Sequence, residues 1–227
     1  MSKYFIRDAT DKKLKLREQW LAQENEYNII DVSLCAGQTI VPGKDNEQFS
    51  EFVEVLYIFI QQLFSLFPFI TFTEKGFLHS TLLTIFNDNE ILFDDYKSNL
   101  INLCKEITRE FDRYSPLTIN FEDIVLTSNG SIILLGESTG VFEFRNYVYN
   151  QYNMHDSLRK NIIHITLGRL FKNESVENMG DVDTFLRMKG RLSLPPVTIN
   201  YPKIILSRDM LCMNVDTNLT CEFNTSI

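Results

Sequence analysis

A His-x-Thr motif occurs twice in this sequence, at 79–81 and at 164–166. Each copy lies in an apolar, β-branched run that predicts a β-strand. Because side chains alternate between the faces of a strand, the His and Thr of one motif point to the same side. The two motifs contain two of the three histidines in the chain. Placed side by side, they would present two imidazoles and two hydroxyls to one space.

These four side chains suit displacement reactions at phosphorus. An imidazole accepts or donates a proton near neutral pH, so His79 and His164 could act as a base and an acid in one reaction. The hydroxyls of Thr81 and Thr166 could hold the non-bridging phosphate oxygens as their negative charge grows. Either histidine could be the base, because the assignment depends on how the substrate is oriented.

A purely structural interpretation also fits one motif taken alone. A histidine among apolar strand residues is usually a satisfied structural residue, and threonine is common in strands. Two copies in matching strands favour the catalytic interpretation. A binding protein that keeps the same residues without turnover is the alternative.

The elements that would position the motifs follow a repeated order along the chain. Residues 1–27 are predicted to form a charged N-terminal extension, and 28–227 a single domain. The order predicts an α+β fold, with helices that pack on a mixed or antiparallel sheet. The predicted strands are 28–35, 76–86, 116–126, 131–136, 162–170, 196–206 and 210–215. The predicted helices are 47–67, 95–113, 141–153 and 181–190, and a loop is predicted at 36–46.

The two motifs in this order resemble those of the 2H phosphoesterase superfamily, the LigT-like or 2′-5′ RNA ligase-like group. The second motif continues through Leu167 to Arg169, which resembles the H-x-T-L-x-R ending of that family; the first continues to Leu82 as H-x-T-L. The resemblance implies two pseudo-symmetric lobes around a central cleft. It also implies metal-independent cleavage of phosphodiesters next to a ribose hydroxyl, without a cofactor. In that chemistry His79 and His164 are catalytic, and the two threonines bind phosphate.

Two further residues are weaker site candidates. Strict alternation points Arg169 away from His164 and Thr166 unless the strand ends or bulges first, so a structural ion pair competes with a phosphate contact. Tyr147 lies in an aromatic run at 141–149 that could stack on a base, although its helical spacing favours core packing. His155 is predicted to be a surface residue.

Composition narrows the class of partner. The net charge is −8 and the isoelectric point is about 5, which favours a small nucleotide or short oligoribonucleotide over a long duplex. The four cysteines lack metal-ligand spacing and are expected to be reduced in a cytoplasmic monomer. The acidic pair at 94–95 fits a helix cap better than a metal site. The apolar stretch 52–70 carries Glu54, Gln61 and Pro68, so a buried amphipathic helix is favoured over a membrane span.

The sequence therefore predicts a metal-independent phosphodiesterase that cleaves a 2′,3′-cyclic phosphate or a 2′,5′ linkage in a small ribonucleotide. The alternative is a non-catalytic nucleotide-binding, RNA-end-binding or adaptor protein of the same fold. An interaction protein that uses the N-terminal extension and the Phe-rich helix is a third possibility.

Overall fold

The computed structural model describes most of the chain between 34 and 207. The described residues are 34–40, 47–73, 75, 78–88, 102–103, 106–107, 109–127, 130–170, 176–190, 192–199 and 203–207. The predicted N-terminal extension, the acidic pair at 94–95 and the strand at 210–215 lie outside these residues.

In the described part of the chain, eight strands form one sheet in which all the pairings are antiparallel. The strand order is β7-β4-β5-β6-β3-β1-β8, and β2 also pairs with β6. The strands are β1 (Leu34–Ile40), β2 (Ile70–Phe72), β3 (Ser80–Asp88), β4 (Leu117–Leu126), β5 (Ser131–Glu137), β6 (Ile163–Leu170), β7 (Val197–Ile199) and β8 (Lys203–Ser207).

The helices pack against one another and against the sheet around a single apolar core. Three have defined bounds, α1 (Glu47–Leu66), α2 (Thr139–Gln151) and α3 (Val176–Lys189), and further helical residues lie between 102 and 111. The core joins Leu56 of α1, Phe144 of α2 and Val182 of α3 to sheet residues such as Leu134 and Ile165. The predicted α+β class is thereby confirmed, while the two pseudo-symmetric lobes stay a prediction.

Helix α1 has the length and composition of a membrane span between Gln48 and Leu66. Phe52, Leu56 and Leu63 on one side of the helix are buried in the core, whereas Val55, Ile58 and Phe64 are exposed. Glu54 on the opposite side is exposed. The predicted buried side of this helix is present, and the rest of its surface carries exposed apolar residues as well as Glu54.

Several local predictions were wrong. The strand predicted at 196–206 is two strands, β7 paired with β4 and β8 paired with β1. The expected loop at 36–46 is strand up to Ile40, because β1 pairs with a strand on each side and sheet pairing outweighs the weak strand propensity of its Gly37. The first motif strand starts at Ser80 rather than near 76. The short strand β2 was not predicted at all; it follows a turn after α1 and pairs with the end of β6. The hairpin of β4 and β5 was predicted correctly.

Candidate active site

The two motif strands are neighbours in the sheet. Strands β3 and β6 are antiparallel, and their one paired position joins Ser80 to Ile165. One residue further in each direction, the same register sets Thr81 opposite His164. His79 lies directly before the first residue of β3. Residues directly opposite in a sheet have Cβ atoms about 5 Å apart. Thr81, His164 and Thr166 therefore lie close together, and His79 is near enough to lower the pKa of His164.

Burial shows which face of the sheet carries this cluster. Ser80 and Ile165 are fully buried, and Ile165 belongs to the apolar core. Their sequence neighbours His79, Thr81, His164 and Thr166 are all half-buried. Alternation thus turns the middle residue of each motif to the core and the imidazoles and hydroxyls to the opposite face, as the sequence predicted.

Strand β6 contains a β-bulge immediately after its motif. Along the pairing of β5 with β6, Ile133 lies opposite Thr166, but the next residue, Ile132, lies opposite Gly168. Leu167 is therefore an extra residue on β6. A bulge changes the phase of the alternation for every residue that follows.

The bulge brings Arg169 to the face of the motif side chains. Ser131 pairs with Arg169 and Ile133 pairs with Thr166. Since Ser131 and Ile133 are two apart on one strand, they share a face, and so do their partners. Within the described part of the chain, Arg169 Nε is buried and has no hydrogen-bond partner. Arg169 thus lies on the face of the motif side chains, whereas in a strand without the bulge it would lie on the opposite face.

The electrostatics of the cluster favour a neutral His164. Burial is the main cause that lowers its pKa, to about 4 from the ordinary 6.5. Positive charge is the second cause: His79 contributes most, followed by Lys160, Arg145 and Arg169. Several cationic groups therefore surround one imidazole in a chain whose net charge is −8. Such a local concentration of positive charge suits an anionic ligand.

Arg145 of α2 connects the backbones that carry the two motifs. Its guanidinium donates to the carbonyl oxygens of Thr81, at 2.8 Å, and Leu82 on β3. It also donates to the carbonyl oxygens of Ile162, at 2.7 Å, and Lys160, at 3.3 Å, just before β6. Only 1% of Arg145 is exposed, and burial lowers its pKa to about 10, so it stays charged at neutral pH.

A cavity of about 240 Å³ lies next to the cluster. It is lined in part by Leu135, which pairs with His164, and by Asp123, which pairs with Leu135. Phe142 and Asn161 form other parts of its wall. The cavity is partly open to solvent, and it lies beside His164 without any of the four motif residues forming its wall.

Two other residues that stood out in the sequence lie away from the cluster. The ring of Tyr147 packs at 5.8 Å from that of Tyr114, and burial and a hydrogen bond to Glu110 raise its pKa. Tyr147 is thus on a different side of α2 from the contacts of Arg145. The expected core packing of the aromatic run is confirmed by the burial of Phe144 and neighbouring residues. His155 is exposed, as predicted.

The roles of Arg145 and Lys160 were not predicted from the sequence. Arg145 lies among aromatic residues on a helix, and its acceptors include carbonyl oxygens more than 60 residues away in β3. Lys160 precedes the second motif by four residues, and a basic residue just before a motif strand was the one available signal. Among the described residues, no group of three or more His, Cys, Asp or Glu side chains could hold a metal ion.

Comparison with known proteins leaves the family open. No family model matches the chain, and no curated protein matches it. Among solved structures, ATU0111 from Agrobacterium tumefaciens, a conserved protein of unknown function, is 14% identical with a TM-score of 0.49, over 79% of this chain and 83% of that one. TT0787 of Thermus thermophilus is 15% identical with a TM-score of 0.43, over 78% and 87%. At these values neither likeness bears on function.

Proposed function

We propose that this protein is a metal-independent phosphodiesterase of the 2H type, which acts on a small or short ribonucleotide with a 2′,3′-cyclic phosphate or a 2′,5′ linkage. One observation supports the proposal: Thr81, His164 and Thr166 lie on one face of two neighbouring strands, with His79 directly before β3 and Arg169 on the same face after the bulge. The reaction, the substrate class and the two-lobed arrangement around a cleft all belong to this proposal.

The positive surroundings of His164 support an anionic substrate. Lys160, Arg145 and Arg169 all act on this imidazole. The buried, unpaired Nε of Arg169 is a donor without an acceptor in the described part of the chain, and a phosphate oxygen would supply one. The neighbouring cavity offers room for the sugar or the base.

The proposed chemistry is an in-line displacement at phosphorus. For a 2′,3′-cyclic phosphate, water attacks phosphorus while one imidazole takes its proton. The bond from phosphorus to one ribose oxygen breaks, and the second, protonated imidazole gives a proton to that oxygen. The product is a ribonucleotide phosphomonoester. Thr81 and Thr166 donate hydrogen bonds to the two non-bridging oxygens.

The environment of His164 suggests its role in this reaction. Because its pKa is lowered to about 4, His164 is neutral in the free protein at neutral pH and can accept a proton. His79 is then the proton donor. A bound phosphodiester brings a negative charge that raises the pKa of His164, which makes it a stronger acceptor in the complex.

Turnover by the purified protein without added metal tests the proposal directly. The panel contains 2′,3′-cyclic mononucleotides, ADP-ribose cyclic phosphate, 2′,5′-oligoadenylate, cyclic dinucleotides and 3′,5′-linked oligouridylate, each with and without EDTA. We expect EDTA-resistant turnover of one of the first three kinds of substrate. His79→Ala and His164→Ala should each lower kcat at least 100-fold, since a positioned acid or base contributes about 10²–10⁴ in rate.

His155→Ala is the matched control, because it removes the third histidine from an exposed position. It should leave turnover unchanged. Near-wild-type activity of either motif variant would contradict the proposed mechanism. Tight binding of a nucleotide without any turnover would support the binding-protein alternative.

A further inference from the structure

The sheet is weakest in backbone pairing where the two motifs meet. Strands β3 and β6 share a single paired position, Ser80 with Ile165, whereas β6 pairs with β5 over six positions. Beyond this pair the backbone groups of the two strands need other partners, because buried carbonyl oxygens are rarely left without donors.

Arg145 supplies those donors. Continued in antiparallel register from Ser80 and Ile165, Leu82 would lie opposite Ile163. The guanidinium instead bonds the carbonyl oxygens of Leu82 on one side and of Ile162 on the other. Four hydrogen bonds use Nε and both terminal nitrogens, with two acceptors on each side. A planar fork fixes the direction of each of its bonds, which a lysine ammonium does not.

We propose that Arg145 is a positioning residue, a clamp whose four carbonyl contacts set the separation of the two motif strands and hence of the His79 and His164 side chains. Thr81, whose carbonyl oxygen accepts one of the bonds, is itself a member of the cluster. Ile162 is two residues before His164. Arg145 touches no substrate in this role. The catalytic consequence rests on the proposed function, whereas the structural one does not.

Phe142 packs against the clamp. Its ring lies 5.5 Å from the guanidinium carbon of Arg145, one helical turn earlier on α2. A cation over an aromatic ring is attracted to its face, most strongly when it is removed from water. Phe142→Leu therefore loosens the guanidinium without removing any donor.

The test compares Arg145→Lys with a control that weakens the same helix. Phe144→Leu removes part of a buried ring whose aromatic contacts are with Phe111 and Tyr114, so it lowers stability while it leaves the four hydrogen bonds of Arg145 in place. Both variants are studied at a temperature where circular dichroism shows them folded. We expect Arg145→Lys to lower kcat at least 10-fold with KM within 3-fold, and Phe144→Leu to change neither by more than 2-fold.

A second readout is independent of activity. NMR titration follows the ring protons of the three histidines in each variant. Opening of the strand junction exposes His164, so in Arg145→Lys its pKa should rise from about 4 towards 6.5, while His155 does not move. Lysine keeps the positive charge, so such a rise reports geometry and solvation. It would be seen even if no substrate were ever found.

If Arg145→Lys does not fold, Phe142→Leu provides the same comparison in a milder form. We expect a smaller rise in the pKa of His164 and a 2- to 5-fold fall in kcat. A folded Arg145→Lys with an unchanged His164 titration would overturn the proposal, as would equal effects of Arg145→Lys and Phe144→Leu. If only Phe142→Leu can be studied, an unchanged pKa of His164 in that folded variant would overturn the proposal.

Discussion

At the scale of single residues, the alternation within each motif separates two functions that are adjacent in sequence. Thr81 lies with the imidazoles, while Ser80 faces the core and is fully buried. Within the described structure the hydroxyl of Ser80 has no hydrogen-bond partner. Removal of the Thr81 hydroxyl is thus expected to lower activity, whereas removal of the Ser80 hydroxyl is expected to affect only stability.

Thr81→Val should lower kcat/KM about 10- to 100-fold, because it removes a donor to a developing oxyanion while it keeps the side-chain shape. Ser80→Ala should leave kcat/KM unchanged and raise the free energy of unfolding by up to about 1 kcal/mol, because it removes a buried polar group without a partner. Steady-state kinetics and urea unfolding of both variants measure this. Loss of activity in Ser80→Ala with Thr81→Val unaffected would reverse the assigned faces.

At the scale of secondary-structure elements, the hairpin that supports β6 depends on a missing side chain. Gly136 lies opposite Phe121 on β4 and opposite Ile163 at the start of β6. A Cβ at this position would be 2.7 Å from Cγ2 of Ile119 and 2.8 Å from Cε1 of Phe121. The core side of the hairpin therefore has no space for an additional methyl group.

Gly136→Ala should lower the free energy of unfolding by about 1–3 kcal/mol, the usual cost of overpacking a core. In the background of Phe121→Leu the same change should cost less, because the smaller side chain can yield. Chemical denaturation of the two single variants and the double variant measures the coupling. Strictly additive effects would show that the crowding against Phe121 is not the cause.

The elements differ in how far their sequence determines them. The faces of the two motifs could be predicted, because alternation is a property of one strand. The position of Arg169 could not, because the bulge at Leu167 is defined by the pairing of β6 with β5. The role of Arg145 depends on carbonyl oxygens from two distant segments, and no pattern on α2 encodes them. The continuation of β1 to Ile40 was missed because its two neighbouring strands hold these residues extended.

At the scale of the whole molecule, the site concentrates positive charge in an acidic protein. This arrangement makes the stability of the folded protein depend on pH through His164. Its native pKa of about 4 is below the ordinary 6.5, so between these pH values the unfolded chain binds a proton that the folded chain does not. The contribution of His164 to stability is therefore complete above about pH 7 and is lost as the pH falls towards 4.

The wild-type protein should lose at most about 3 kcal/mol of stability through this residue between pH 7 and pH 4. In His164→Asn the loss over the same range should be smaller by that amount, because asparagine does not titrate. Urea unfolding of both proteins at half-unit pH intervals gives the difference. Parallel stability curves for the two proteins would mean that His164 titrates normally in the folded state.

The bulge in β6 has a consequence for recognising related sites in other sequences. Arg169 follows Thr166 by three residues, and it shares a face with Thr166 because one residue, Leu167, is left out of the pairing. An unbulged strand would offer the same groups with the arginine two residues after the threonine. A related sequence could therefore lose one residue at this position together with the bulge and keep the arginine and the threonine on the same face. Sequence patterns with a fixed interval would separate proteins whose sites are geometrically the same.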